Sequence, residues 1–207
     1  QGKPLWTFAT RPCEVLYLCL EDSFQRIQSR LFDLTEDAPP TLHFAVMSQQ
    51  LHNGLVEQIE QFLKEHPQTR LIVIDTLQRI RTAGNDANAY ASDYRDIGVL
   101  KALADKHRIA ILLVHHLLKM NDDDPMNMIS GTTGLSGATD SNFVLRKSQR
   151  RENTATLYCT GRDIPYRELA LEFDGEDHVW KLLSDDCEQT EQPSERCLLY
   201  TSDAADE

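Results

Sequence analysis

Short continuous apolar runs alternate along this chain with stretches whose apolar residues recur at helical spacing. Glu14–Leu20, Leu71–Ile74 and Ile109–Val114 each read as a strand buried on both faces, and Leu42–Met47 reads as a shorter one. Phe24, Ile27, Leu31 and Leu34 mark an amphipathic helix over residues 23–34. Leu51, Leu55, Ile59, Phe62 and Leu63 mark a second over Leu51–His66, stopped by Pro67. A polar loop around Ala83–Asn88 then leads to a long helix from about Ala89 to His107. This alternation predicts an α/β fold, a mostly parallel sheet covered by helices on both faces. Beyond about Asn142 the helices stop. Phe143–Arg146, Thr154–Cys159, Glu168–Phe173 and Val179–Leu183 are short strands in succession, predicting antiparallel strands at the C-terminal edge.

In open parallel sheets ligands bind beyond the carboxyl ends of the strands, and the polar residues at those ends are suited to nucleotide chemistry. The first run ends in Glu21-Asp22, the next in Asp75-Thr76, the third in His115-His116, and Thr154–Cys159 leads to Thr160-Gly161-Arg162. A hydrophobic strand ending in Asp75 has the form of a Walker B element, which can hold a Mg²⁺ shell beside phosphates. It also fits an Asp that merely caps the next helix. Glu21 could orient and deprotonate an attacking water, whereas Asp22 or Ser23 could cap the helix that follows. One of His115 and His116 could hydrogen-bond a γ-phosphate oxygen. Ser130–Gly137 is rich in glycine and hydroxyls and reads as a flexible loop, able to meet phosphates through its backbone N–H groups or to do nothing more than connect. The basic run Arg146, Lys147, Arg150, Arg151 reads as a solvated turn. Gly2-Lys3 is followed by Pro4 rather than Ser or Thr, and the sequence contains no G-x-x-x-x-G-K-[ST], so the phosphate cradle is absent from it.

With 207 residues, 41% hydrophobic and 26% charged, the chain has the size and make-up of one globular domain with a sizeable core. No apolar run is long enough for a membrane helix, and no apolar stretch follows Lys3 as a signal peptide requires. The chain starts at Gln1 instead of Met, which predicts that it is cut at its N-terminus. Five cysteines, odd in number and without C-x-x-C spacing, point to a reduced, cytoplasmic protein and carry no zinc motif. The net charge of −12 argues against whole-surface binding to nucleic acid, but from Asp185 to Glu207 eight acids face one base. That leaves a mildly acidic core, compatible with a local basic contact. The expected organisation is a core over residues 1–184 and a disordered acidic tail over 185–207, of which 197–207 resembles translated sequencing-adapter sequence.

Taken in order, these segments resemble the RecA-like ATPase core of hexameric replicative helicases, both the bacterial chromosomal and the plasmid RepA types. The resemblance runs from about Glu14 to Leu183 and is most specific at Leu71-Ile-Val-Ile-Asp-Thr-Leu-Gln-Arg-Ile-Arg81. It implies a P-loop NTPase fold, ATP and Mg²⁺ as cofactors, a ring-shaped homo-oligomer (a hexamer), and single-stranded DNA as partner of the full-length protein. It gives Glu21 the role of catalytic glutamate, Asp75 that of Mg²⁺ holder through water, and His116 that of γ-phosphate sensor. Thr76 and His115 then lie beside the nucleotide, and Arg162 reaches into the neighbouring subunit's site. Gly134–Asp140 falls where the family contacts DNA, with Lys119, Thr132, Thr133 and Ser136 as the contacting residues. Three departures stand out: the P-loop lies outside the chain, Thr160 replaces a second basic residue, and the acidic Asn121–Asp124 run would repel a phosphate backbone. The other readings are a RecA-like recombination or regulatory ATPase, and a degenerate RecA-like module used for oligomerisation or binding.

Overall fold

In the computed structural model, residues 2–81, 89–118, 122–129, 134–147 and 152–187 are described. The first half forms β1 (Glu14–Cys19), α1 (Phe24–Leu34), β2 (Leu42–Ala45), α2 (Leu55–Glu65), β3 (Thr69–Asp75), α3 (Leu77–Ile80), α4 (Ala89–His107) and β4 (Ala110–Val114). Their four strands make one parallel sheet in the order β2-β1-β3-β4. The register sets Cys19 opposite Asp75 and Asp75 opposite Val114. Three strands therefore end level, and the residues just past them share one edge.

The core forms where the apolar runs meet the helical stripes. Leu16, Leu18, Ile72 and Ile74 of the sheet pack with Leu55, Ile59 and Leu63 of α2, Leu77 and Ile80 of α3, and Ile97, Leu100 and Leu103 of α4. Leu55, Ile72, Ile74 and Ile80 are fully buried, each removing its side chain from water for about 1.5–3 kcal/mol.

Local chemistry sets the helix starts. Ser23 accepts the Arg26 N–H and caps α1, while Asp22 pairs with Arg26 and Arg30 at 3.1 and 2.6 Å. The helix predicted from Leu51 begins at Leu55, because Gln50–Gly54 folds into a turn that Gly54 leaves in the left-handed region at φ 100°. Leu51 is still buried, so its apolar periodicity was real and its helical conformation was not.

The second half forms α5 (Gly134–Ala138), β5 (Ser141–Lys147), β6 (Thr154–Gly161), β7 (Arg167–Asp174) and β8 (Val179–Cys187), the strands building an antiparallel sheet in sequence order. Cys159, Leu169 and Leu171 centre a smaller core, completed by Trp6, Phe8 and Trp180; Trp6 Nε1–H donates to the Trp180 carbonyl at 2.7 Å. Two expectations change. Gly134–Gly137, read as flexible loop, lies in α5, because Leu135 and Ala138 are buried in the main core. Asp185–Cys187, read as tail, belongs to β8, where Asp185 faces Leu169 and pairs with Arg167 at 3.2 Å. The loop around Ala83–Asn88 and residues 188–207 lie outside the described residues.

Candidate functional site

Because β1, β3 and β4 end together, Glu21, Asp75, Thr76 and His116 converge at the carboxyl edge of the parallel sheet. Thr76, 1% exposed, donates its hydroxyl to Glu21 Oε1 at 3.1 Å. His116 Nε2 lies 3.6 Å from Glu21 Oε2, and Arg79 Nε, from α3, lies 3.7 Å from Glu21 Oε1. The carboxylate is thus held on three sides, yet its side chain and that of His116 stay solvent-accessible at 42% and 77%. Asp75 Oδ2 accepts the Tyr17 hydroxyl at 3.1 Å, and the Leu20 N–H donates to the Asp75 carbonyl at 2.8 Å. These bonds fix the carboxyl end of β3 against β1.

Burial and the Asp75 charge shape the neighbouring groups. The Tyr17 phenol is pushed well above its ordinary range, first by burial and then by Asp75. Burial, and then Asp75, pushes the Cys19 thiol up to about 11, so it stays protonated beside the carboxylates. His115 is shifted down, chiefly by burial and next by the Arg81 charge.

Behind the edge, Arg81 Nη2 lies 2.7 Å from Asp93 Oδ1 and its Nε 2.9 Å from Asp96 Oδ2; His52 Nε2 meets Asp96 Oδ1 at 2.7 Å. Asp93 and Asp96 are 7% and 5% exposed on α4. This network ties the end of α3 to α4 beside His115. The sequence reading noted Arg81 only through its resemblance and missed its partners, along with Tyr17 and Arg79. Tyr17 had a readable signal, since it lies two residues before Cys19 on the strand leading to Glu21.

Arg162 stands apart from this group. It follows β6, where its guanidinium contacts Asp140 Oδ1 at 3.5 Å and the Gly137 carbonyl at 3.4 Å, and Lys101 of α4 holds the same Asp140 at 2.6 Å. The arginine is anchored to α5 and its flank, not to Glu21 or Asp75. Ser136 sits half-buried in α5, its carbonyl accepting from Thr139 and Asn142. Lys119, Thr132 and Thr133 lie outside the described residues. A cleft of about 880 Å³ lies away from Glu21 and Asp75, between β4 and β5, lined by Ile111, Leu113, Phe143 and Leu145, with His115 at its rim.

A family model described as an AAA domain matches residues 1–122. The chain belongs to the AAA domain family. Membership implies nucleotide binding in general terms. Among solved structures, this AAA domain is similar to one described as the ATPase domain of G40P, with a TM-score of 0.68 and 16% identity over 83% of this chain and 75% of that one. It is equally similar to a DnaB-like replicative helicase studied with its interactions with primase, at TM-score 0.68 and 16% identity, with 83% of this chain covered. There it spans about half the length of the matched protein, 51%. The RadB recombinase matches with a TM-score of 0.57 and 17% identity, over 83% of this chain and 80% of that one. No curated protein sequence matches. The shared architecture is the RecA-like fold, as the strand pattern and its resemblance implied. No helix among the described residues is long and apolar enough to cross a membrane.

Proposed function

We propose that this AAA domain is the ATP-hydrolysing part of a RecA-like ring motor, a replicative DNA helicase of a plasmid, phage or other mobile element. The observation that carries the reading is the convergence of Glu21, Asp75, Thr76 and His116 on one sheet edge, with Glu21 held by Thr76, Arg79 and His116. Glu21 takes a proton from the attacking water, the water oxygen bonds to the γ-phosphorus, and the bond to the β–γ bridging oxygen breaks as ADP leaves. Oxygen donors at the Asp75-Thr76 step suit a hard cation; Asp75 would hold Mg²⁺ through water there, and the ion would neutralise phosphate charge. His116, within 3.6 Å of Glu21, links the γ-phosphate to the base. Arg162, which contacts Asp140 and Gly137 rather than Glu21 or Asp75, acts on a neighbouring subunit in a hexameric ring. Single-stranded DNA is the partner, met through Lys119, Thr132, Thr133 and Ser136, and the compartment is the cytoplasm.

Glu21→Gln in the complete protein is the decisive experiment. It keeps the side chain's shape and removes the proton acceptor, so turnover should fall by about 10²–10⁴ while ATP binding persists; unchanged turnover overturns the assignment. The likeness to the RadB recombinase favours one second reading, a recombination ATPase that does not unwind DNA. Displacement of a labelled strand from a forked duplex by the full-length protein separates the two.

A further inference from the structure

The amino end of the parallel sheet, opposite the nucleotide edge, holds a second set of converging polar side chains. Glu14 opens β1, His43 lies in β2 opposite Leu16, two residues further along β1, and His66 caps the C-terminus of α2 before the chain turns into β3. Glu14 Oε1 lies 3.8 Å from His43 Nε2 and 3.7 Å from His66 Nδ1, and one ligand atom from each of the three lies within 4.8 Å of the others. It is the one such group among the described residues. These separations are too long for hydrogen bonds. They are close to the roughly 3.3 Å between donors that bond a tetrahedral ion at about 2.0–2.1 Å.

Three further observations point to a ligand. Glu14 Oε2 and His43 Nε2 are buried and have no hydrogen-bond partner, and the hydroxyl of Thr69, laterally opposite Glu14 on β3, is a third such atom. An unsatisfied buried polar group costs about 1–3 kcal/mol, and the Glu14 and His43 atoms belong to the cluster itself, where one bound ion would satisfy both. The Phe62 ring packs on both imidazoles, edge-on to His43 at 5.3 Å and stacked on His66 at 4.3 Å, which orients the rings before any ion arrives. A shallow cleft lined by Cys13, Glu14, Thr41 and Gln68 opens beside the carboxylate and gives an ion its path.

We propose that Glu14, His43 and His66 form a binding site for a divalent transition-metal ion, zinc above all, with solvent completing its coordination. Two imidazoles and one carboxylate are a borderline donor set that suits Zn²⁺ and Co²⁺ and disfavours Mg²⁺ and Ca²⁺. The ion would join the starts of β1 and β2 to the end of α2, so its role is to clamp the sheet at the end away from hydrolysis. No zinc motif is legible in the sequence, because its cysteines lack the spacing and the three ligands are separated by 29 and 23 positions that only the fold closes.

The test uses the 207-residue chain after chelator treatment. Titration with Co²⁺ should give one equivalent of visible d–d absorbance, which Zn²⁺ displaces, and Zn²⁺ at micromolar concentration should raise the melting temperature. His43→Ala, His66→Gln and Glu14→Gln should each weaken binding at least tenfold and abolish the thermal shift, with unchanged circular dichroism in the metal-free state. His66→Gln, half-exposed at a helix end, serves if His43→Ala does not fold. Cys13→Ser and His116→Asn should bind like the parent. No saturable binding, or binding that depends on Cys13 or His116 instead, overturns the proposal.

Discussion

Replacing Arg81 by Ala tests how this fold holds the carboxyl edge of its parallel sheet. The guanidinium is 18% exposed and sits against two carboxylates whose side chains are 10% and 7% exposed, at 2.7 and 2.9 Å. Removing it takes away the guanidinium that the buried Asp93 and Asp96 carboxylates both face, a change that costs about 3–5 kcal/mol when such a pair is broken from one side. His52 remains 2.7 Å from Asp96 and offsets part of the loss, so the expected cost is at the lower end, about 3 kcal/mol. With a urea m-value of about 2 kcal/mol/M, the unfolding midpoint should fall by about 1.5 M. Arg162→Ala is the control: its pair with Asp140 is exposed on both sides, at 59% and 53%, and Asp140 keeps Lys101, so its midpoint should not move measurably. The triple variant Arg81→Met, Asp93→Asn, Asp96→Asn removes all three charges and should recover much of the loss. A midpoint shift for Arg81→Ala no larger than the control's, or a triple variant less stable than Arg81→Ala, would refute the reasoning.

Two further outcomes follow from the same geometry. The His115 imidazole should titrate below the ordinary value of about 6.5 in two-dimensional NMR, because burial and Arg81 disfavour its charged form. The stability tied to it is complete above about pH 6.5, where the unfolded chain is also neutral, and is lost as pH falls toward the folded value; in Arg81→Ala the midpoint should rise, and a value at or above 6.5 in the parent contradicts the account. In the complete protein, subunits carrying Arg162→Ala mixed with subunits carrying Glu21→Gln should recover ATPase activity neither has alone. Arginine fingers contribute about 10³–10⁵ in rate, so even a minority of restored interfaces is detectable, and absence of recovery removes Arg162 from a trans role.

The strands, the long helix and the level ends of β1, β3 and β4 were legible in the sequence because burial on both faces writes continuous apolar runs, and a parallel sheet leaves polar residues only at their ends. That is why Glu21, Asp75 and His116 could be picked out from order alone. Local propensity was a weaker guide. Leu51 kept the helical period while sitting in a turn, α3 was too short to show a period, and Gly134–Ala138 became a helix because Leu135 and Ala138 found a core. Contacts between distant segments left no local trace. Nothing near Arg81 in the sequence names Asp93 and Asp96 as its partners, and nothing near Arg162 names Asp140. The same holds for Glu14, His43 and His66, which a periodicity of two or 3.6 cannot relate. Sequence alone determined which faces are buried and which strands end in polar residues, because hydrophobic burial acts residue by residue. The tertiary structure decided which polar groups meet, because charge pairing and ligand geometry depend on distances that only the closed fold sets.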